Sequence, residues 1–238
     1  MGRLPRRFRV ATVTGRPVGG EGRAMSRDSF DEQLDRLTGV LAVMSRDASA
    51  AIRGASTALL EVDRGAAETV LAGDAVLDAR RAEVEAMIPE VLVRHQPVAS
   101  DLRLVVCALR IAGALERMGD LAVHVAKVAL RRHPVGVVPE PAMPVMTALA
   151  EAAARVADKC ALVLATRDRL DAMQLGLDDD EVDAAQERLL SLLVAGWPYG
   201  VESAIDLALL GRYYERYADQ AVNVGRQVVY LVTGTIRL

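Results

Sequence analysis

One stretch of this chain is written twice. Ala114-Leu-Glu-Arg-Met-Gly-Asp-Leu-Ala-Val-His-Val125 returns as Tyr213-Tyr-Glu-Arg-Tyr-Ala-Asp-Gln-Ala-Val-Asn-Val224, and the copies share Glu-Arg-x-x-Asp-x-Ala-Val-x-Val. Glu116 and Glu215 stand 99 residues apart, as do Asp120 and Asp219. A spacing of four puts two side chains on one helix face, a turn apart. Projected at about 100° per residue, Glu116 and Asp120 share a stripe with Leu102, Val105, Leu109, Ala112 and Val123. Glu215 and Asp219 fall likewise among Val201, Ala204, Ala208, Gly211 and Val222. The carboxylates are therefore expected to turn toward the apolar side, where charge is costly unless a cation or a proton meets it.

The rest of the chain divides around this repeat. Phe30, Leu34, Leu37, Leu41, Met44, Ala48, Ile52, Ala55 and Leu59 set a helical period for a first helix, with Ser29 as expected N-cap and Glu32 three residues on. A second helix is expected from about Ala67 to Arg94, with Asp74 and Asp78 at the edge of its apolar stripe and Pro89 as a kink. A third opens after Pro97 and carries the signature to about Arg131. Residues 132–144 hold four prolines and read as a linker. Beyond it the order repeats: Leu164 to Asp168 matches Leu59 to Asp63, Asp179 and Asp183 match Asp74 and Asp78, and Pro198 precedes a last helix from about Gly200 to Thr233. The expected fold is all-α, two tandem three-helix bundles related by internal duplication, over residues 25–131 and 145–238.

Residues 1–24 hold six Arg and one Glu and lack a helical period, so they are expected to be a disordered tail or a misassigned start, with the functional chain beginning at Met25. Since the whole chain carries a formal charge of −3, the body is acidic, which argues against a nucleic-acid-binding core. No apolar run approaches the roughly 18 to 20 residues of a membrane span. Cys107 and Cys160 lie in helical patterns without metal-ligand spacing and read as buried hydrophobes.

If the second and third helices lie antiparallel, Asp74, Asp78, Glu116 and Asp120 form one nest of carboxylates, and Asp179, Asp183, Glu215 and Asp219 a second. All-oxygen ligation suits hard ions such as Mg²⁺, Mn²⁺, Ca²⁺ or iron. A di-iron bundle enzyme would carry Glu-x-x-His, and the residues three before His95, His124 and His133 are leucines. No glycine-rich phosphate loop or nucleophile–base pair is evident, so no catalytic residue is assigned. Arg103, Arg110 and Arg117 recur every seven residues on another stripe, suited to acidic or helical partners.

A duplicated three-helix unit with Asp-x-x-x-Asp in its second helix and Glu-Arg-x-x-Asp-x-Ala-Val in its third resembles the PhoU family of bacterial phosphate-signalling accessory proteins. Asp101-Leu-Arg103, the Phe30-Asp-Glu-Gln-Leu34 opening and the Val229-Tyr-Leu-Val-Thr-Gly234 ending add to the resemblance, which covers about residues 25–234. It implies a cytoplasmic, non-enzymatic homodimer, peripherally associated with a membrane transporter complex. In that role it would restrain the phosphate-starvation response through the ATPase subunit of a phosphate ABC transporter and a sensor histidine kinase. It also implies that the eight acidic positions are associated with Mg, Mn or Fe ions. The alternative is a carboxylate-lined, metal-binding helical enzyme or metal-handling protein. Two departures from the family pattern are the Arg-rich head and the crowding of Tyr213, Tyr214 and Tyr217 around the second signature, which bears on whether an ion occupies that site.

Overall fold

The computed structural model describes residues 20–235. Six long helices account for them: α1 (Gly20–Leu60), α2 (Arg64–His95), α3 (Ala99–Arg132), α4 (Met143–Thr166), α5 (Arg169–Val194) and α6 (Gly200–Thr233). The expectation for residues 1–24 falls largely on residues outside this range. Ser29 is not a cap, because α1 is already helical from Gly20. Glu21, Arg23, Ala24 and Met25 are good helix formers, and nothing between them and Phe30 stops propagation upstream of the capping-box pattern.

The match of Leu164–Asp168 to Leu59–Asp63 holds both a helix end and the next helix start: α1 stops at Leu60 and α4 at Thr166, and the closing aspartate of each segment caps the helix that follows. Asp63 caps α2 by accepting from the Ala66 amide. Asp168 caps α5 by accepting from the amides of Leu170 and Asp171. Each satisfies donors that the first turn leaves open, a contribution of about 1 kcal/mol. α2 runs through Pro89 to His95. The proline-rich connection packs rather than floats: Val137, Val138 and Ala142 are buried, and a single 3-10 turn at Glu140–Ala142 leads into α4.

Within each repeat the three helices pack on one another, α1 with α2 and α3, and α4 with α5 and α6. The repeats then join through α1 against α4 and α3 against α6. These four form an inner layer, with α2 covering α1 and α3 on one flank and α5 covering α4 and α6 on the other. The result is one continuous core shared by both bundles. α3 and α6 run antiparallel, since Arg110 meets Gln227 near one end while Arg131 and Arg132 meet Asp206 near the other. Asp206 is 3% exposed, and Arg132 grips its Oδ2 through Nε at 3.0 Å and Nη2 at 2.8 Å. Such a fork is the arrangement that makes a buried carboxylate tolerable.

Two tyrosines of α6 reach across to α1. Tyr214 and Tyr217 are fully buried. The Tyr214 hydroxyl lies 2.8 Å from Ser56 Oγ, and that of Tyr217 donates to the Ala48 carbonyl at 2.9 Å. With partners for both hydroxyls, the core gains large apolar rings without an orphaned polar group.

Gly119 sets how closely α2 approaches α3. A Cβ there would run into Leu77 Cδ2, so the missing side chain lets the helices close at the level of the acidic pairs. Gly234 serves differently, ending α6 in the left-handed region at φ 69°, a conformation that favours glycine.

Candidate functional site

The helix packing brings each Asp-x-x-x-Asp pair to the Glu-x-x-x-Asp pair of the following helix. Asp74 and Asp78 of α2 share one electrostatic neighbourhood with Glu116 and Asp120 of α3. Burial and the charges of Asp78 and Asp120 raise the Asp74 carboxyl above its ordinary range, while Lys127 and His124 pull the other way. Glu116 is raised by burial and by Asp120, and Arg81 opposes. Arg81 holds the Glu116 carboxylate at 2.9 Å and donates to Glu85 from the same guanidinium.

Around α5 and α6 the charge balance differs. Half-buried Asp179 is pushed up to about 7, first by desolvation and then by Asp183, Asp219, Glu215 and Asp180. Asp183 is raised by burial and by Asp219, Asp180 and Glu187. Glu215 is raised by burial, although Arg212 from its own helix pairs with one of its oxygens. Among the described residues, its other oxygen, Oε2, and Asp179 Oδ1 are buried without a hydrogen-bond partner. A buried acceptor left bare costs about 1–3 kcal/mol. Protonation or a cation would relieve it.

The projection of these acids onto the apolar core is corrected by the structure. They lie at the seams between helices, partly exposed, and Leu102 and Leu109 of the projected stripe are 42% and 44% exposed. α3 packs against α1, α2 and α6, so its buried surface is far wider than one stripe, and its centre passes through Ile111, Leu115, Met118 and Ala122. The seam with α2 is where the carboxylates emerge.

The tyrosines do not crowd the second acidic cluster. Tyr214 and Tyr217 point into the core, and Tyr213 stacks on His124 with ring centroids 5.1 Å apart. Among the described residues, no three His, Cys, Asp or Glu side chains already converge on one ion position. Asp78, Asp183 and Asp219 are exposed, which leaves their rotamers free to adjust. As a donor set the second cluster suits a hard cation, because two of its oxygens lack any other partner. A guanidinium pairs with the signature glutamate in both clusters, Arg81 with Glu116 and Arg212 with Glu215, but among the described residues the first cluster leaves no carboxylate oxygen buried and bare.

Several residues escaped the reading of the sequence. Arg81 and Arg212 each neutralise a signature glutamate from a position the duplication does not repeat. Of the arginine stripe, Arg110 and Arg117 line an open groove between α3 and α6 together with Arg216, whereas Arg103 lies against Gly234. Arg117 and Arg216 were visible as the repeated arginine of Glu-Arg-x-x-Asp. Cys107 and Cys160 are buried free thiols, and burial pushes Cys160 up to about 12.

Comparison with known proteins places this architecture. The family profile of the PhoU domain matches residues 41–129 and again 146–228, one match per repeat. The phosphate-specific transport system accessory protein PhoU homolog 1 of Mycobacterium tuberculosis is 40% identical over 211 residues, covering 88% of this chain and 96% of that protein. PhoU homolog 2 of the same organism is 35% identical over 209 residues, covering 87% and 98%. Among solved structures, PhoU from Pseudomonas aeruginosa superposes with a TM-score of 0.77 at 25% identity, over 87% of this chain and all of that one. The phosphate transport system regulatory protein PhoU from Streptococcus pneumoniae gives 0.79 at 21% identity, a likeness of fold. Two matched repeats, near full-length relatives and a shared six-helix fold lead to one conclusion: this chain belongs to the PhoU family.

Proposed function

We propose that this protein regulates phosphate uptake and holds down the phosphate-starvation response, acting through contacts with a phosphate ABC transporter's ATPase subunit and a sensor histidine kinase. The observation that carries the reading is the match of both repeats to relatives named phosphate-specific transport system accessory proteins, over 88% of the chain. The protein works at the cytoplasmic face of the transporter as a homodimer and carries out no reaction of its own. Its long helical faces supply docking surface, and among the described residues no helix is long and apolar enough to cross a membrane.

In this reading the acidic clusters hold divalent or transition metal ions, Mg, Mn or Fe. Asp179, Asp183, Glu215 and Asp219 are the stronger set, and Asp74, Asp78, Glu116 and Asp120 the weaker. A bound cation offsets the mutual repulsion of the carboxylates and fixes α5 against α6 and α2 against α3. The bare buried oxygens of Asp179 and Glu215 support this assignment.

Deletion of the gene tests the regulatory reading. The starvation regulon is expected to switch on in phosphate-rich medium, and affinity capture from phosphate-replete cells is expected to recover the transporter ATPase and the kinase. A deletion strain with normal repression and normal phosphate uptake would overturn it. Metal-dependent turnover by the purified protein would instead favour the carboxylate-lined enzyme.

A further inference from the structure

The groove between α3 and α6 has a chemistry opposite to that of the acidic clusters. It is open to solvent, encloses roughly 560 Å³, and is lined by four arginines, Arg81 from α2, Arg110 and Arg117 from α3, and Arg216 from α6. Glu116 is the one carboxylate residue in the lining, and Arg81 already holds it. The other three guanidinium groups are poorly matched. Arg110 donates only to the neutral amide oxygen of Gln227, at 3.5 Å. Arg117 stands 3.8 Å from Asp120. Arg216 makes no hydrogen bond or ion pair among the described residues, since Arg212 takes the neighbouring Glu215. Gln220, Asn223 and Gln227 complete the α6 wall with amides that both donate and accept.

The shape narrows what such a groove takes. Ala114 is the one apolar side chain in the lining, whereas a docked amphipathic helix needs apolar anchors at successive turns. Beside it, a Cβ on Gly113 would meet nothing within 4 Å, so the floor is open. Arg110 and Arg117 are two turns apart on α3, roughly 10 Å along the axis at 1.5 Å per residue. A chain of phosphoryl groups spans that separation and engages both, with Arg216 facing it from α6, whereas a single orthophosphate ion engages both only if the two side chains bend toward it. Guanidinium forks match phosphoryl oxygens bidentately.

We propose that this groove is a binding site for a small anion with linked phosphoryl groups, an oligophosphate either free or carried on a nucleoside. The site does not rest on the regulatory role and uses arginines that role leaves unassigned. Its most informative residue is Arg216, the groove arginine without a partner among the described residues.

The test is calorimetry on the full chain in divalent-depleted buffer at fixed ionic strength, with tripolyphosphate, ATP and orthophosphate as probes. Tripolyphosphate or ATP is expected to bind once per chain, at least about tenfold tighter than orthophosphate. Arg216→Ala and Arg110→Gln are each expected to weaken that binding by about tenfold, and Arg64→Ala, in an exposed ion pair on α2, to leave it unchanged. Arg110 and Arg216 are exposed, and with circular dichroism checking each fold, either variant carries the test if the other fails. ATP binding tighter than tripolyphosphate assigns the nucleoside-borne form, and equal or reversed affinities assign the free chain. Equal affinity for orthophosphate, an equal loss in Arg64→Ala, or capture of a phosphorylated peptide with neither small anion bound would each overturn the proposal.

Discussion

The two acidic clusters are copies in sequence and unlike in charge. In the first, Arg81 of α2 crosses to Glu116; the equivalent position in the second repeat is Gln186. In the second, Arg212 pairs with Glu215 from within α6, where the first repeat has Gly113. The second also carries Asp180 and Glu187, both of which raise Asp183, at positions where the first has Ala75 and Ala82. Duplication preserved the acids and their spacing. The neighbours it did not preserve decide how much unneutralised charge each cluster holds, and the second holds more.

The sharpest test of that difference removes the bare oxygens. In calorimetry with Mn²⁺ or Mg²⁺, the double variant Asp179→Ala, Glu215→Ala is expected to lose most of the binding heat, the second cluster's own affinity falling by at least about tenfold. Glu116→Ala, Asp120→Ala is expected to lose less. Equal losses from the two pairs would make the clusters equivalent, and no heat from the parent chain would remove ions from the account.

Exchanging the unequal neighbours should exchange the behaviour. Gln186→Arg places a cation where the first cluster has one and is expected to weaken the second cluster's affinity by about tenfold, roughly one pKa unit of opposing charge. Arg81→Gln is expected to strengthen the first cluster. If neither substitution moves its own cluster, these residues do not set the difference.

Acidity separates the clusters as well. Asp179 has a folded-state pKa of about 7, above its unfolded value, so the native state binds more protons across that interval. Stability from this group is fully present below the ordinary carboxylate range and is lost as pH rises toward 7. Thermal unfolding without divalent cations should therefore show a melting temperature that falls as pH climbs from about 4 to about 7, and Asp179→Asn should flatten that slope. An unchanged slope in the variant would assign the pH dependence to other groups.

Gly119→Ala gives the smallest effect and touches only the first cluster. The new Cβ meets the tip of Leu77, a flexible end that can shift, so destabilisation of about 1 kcal/mol is expected. Ion affinity should fall at the first cluster and hold at the second. Chemical denaturation and calorimetry on the same variant would check both, and a loss at the second cluster would show that the α2–α3 spacing is not a local matter.

Much of this was legible in the residues. The repeat of Glu-Arg-x-x-Asp, the acidic pairs upstream of it and the prolines at 97 and 198 placed all six helices and brought the acids together, because periodicity and breakers act locally. Arg212, three residues before Glu215 on one helix, could have been read from spacing; the pairing of Arg81 with Glu116 could not. Arg81 and Glu116 are 35 residues apart, and their meeting depends on how far α2 closes on α3, which Gly119 sets through packing. The aim of Tyr214 and Tyr217 was equally hidden: one immediately precedes the acidic signature and the other lies inside it, yet helical rotation turns both toward α1 of the other repeat. A projection onto one apolar stripe fails for helices that touch three neighbours.

Those tyrosines bear on how the chain is made. Ala48 and Ser56 are the α1 partners of residues 169 and 158 positions downstream, so the face of the first repeat that receives them is complete only after the last helix has left the ribosome. At about 5–20 residues per second of synthesis, that face waits many seconds with its apolar side chains uncovered. The first repeat is in this sense a nascent half-protein, and truncations that remove α6 should be recovered bound to chaperones or aggregated rather than as a free three-helix domain.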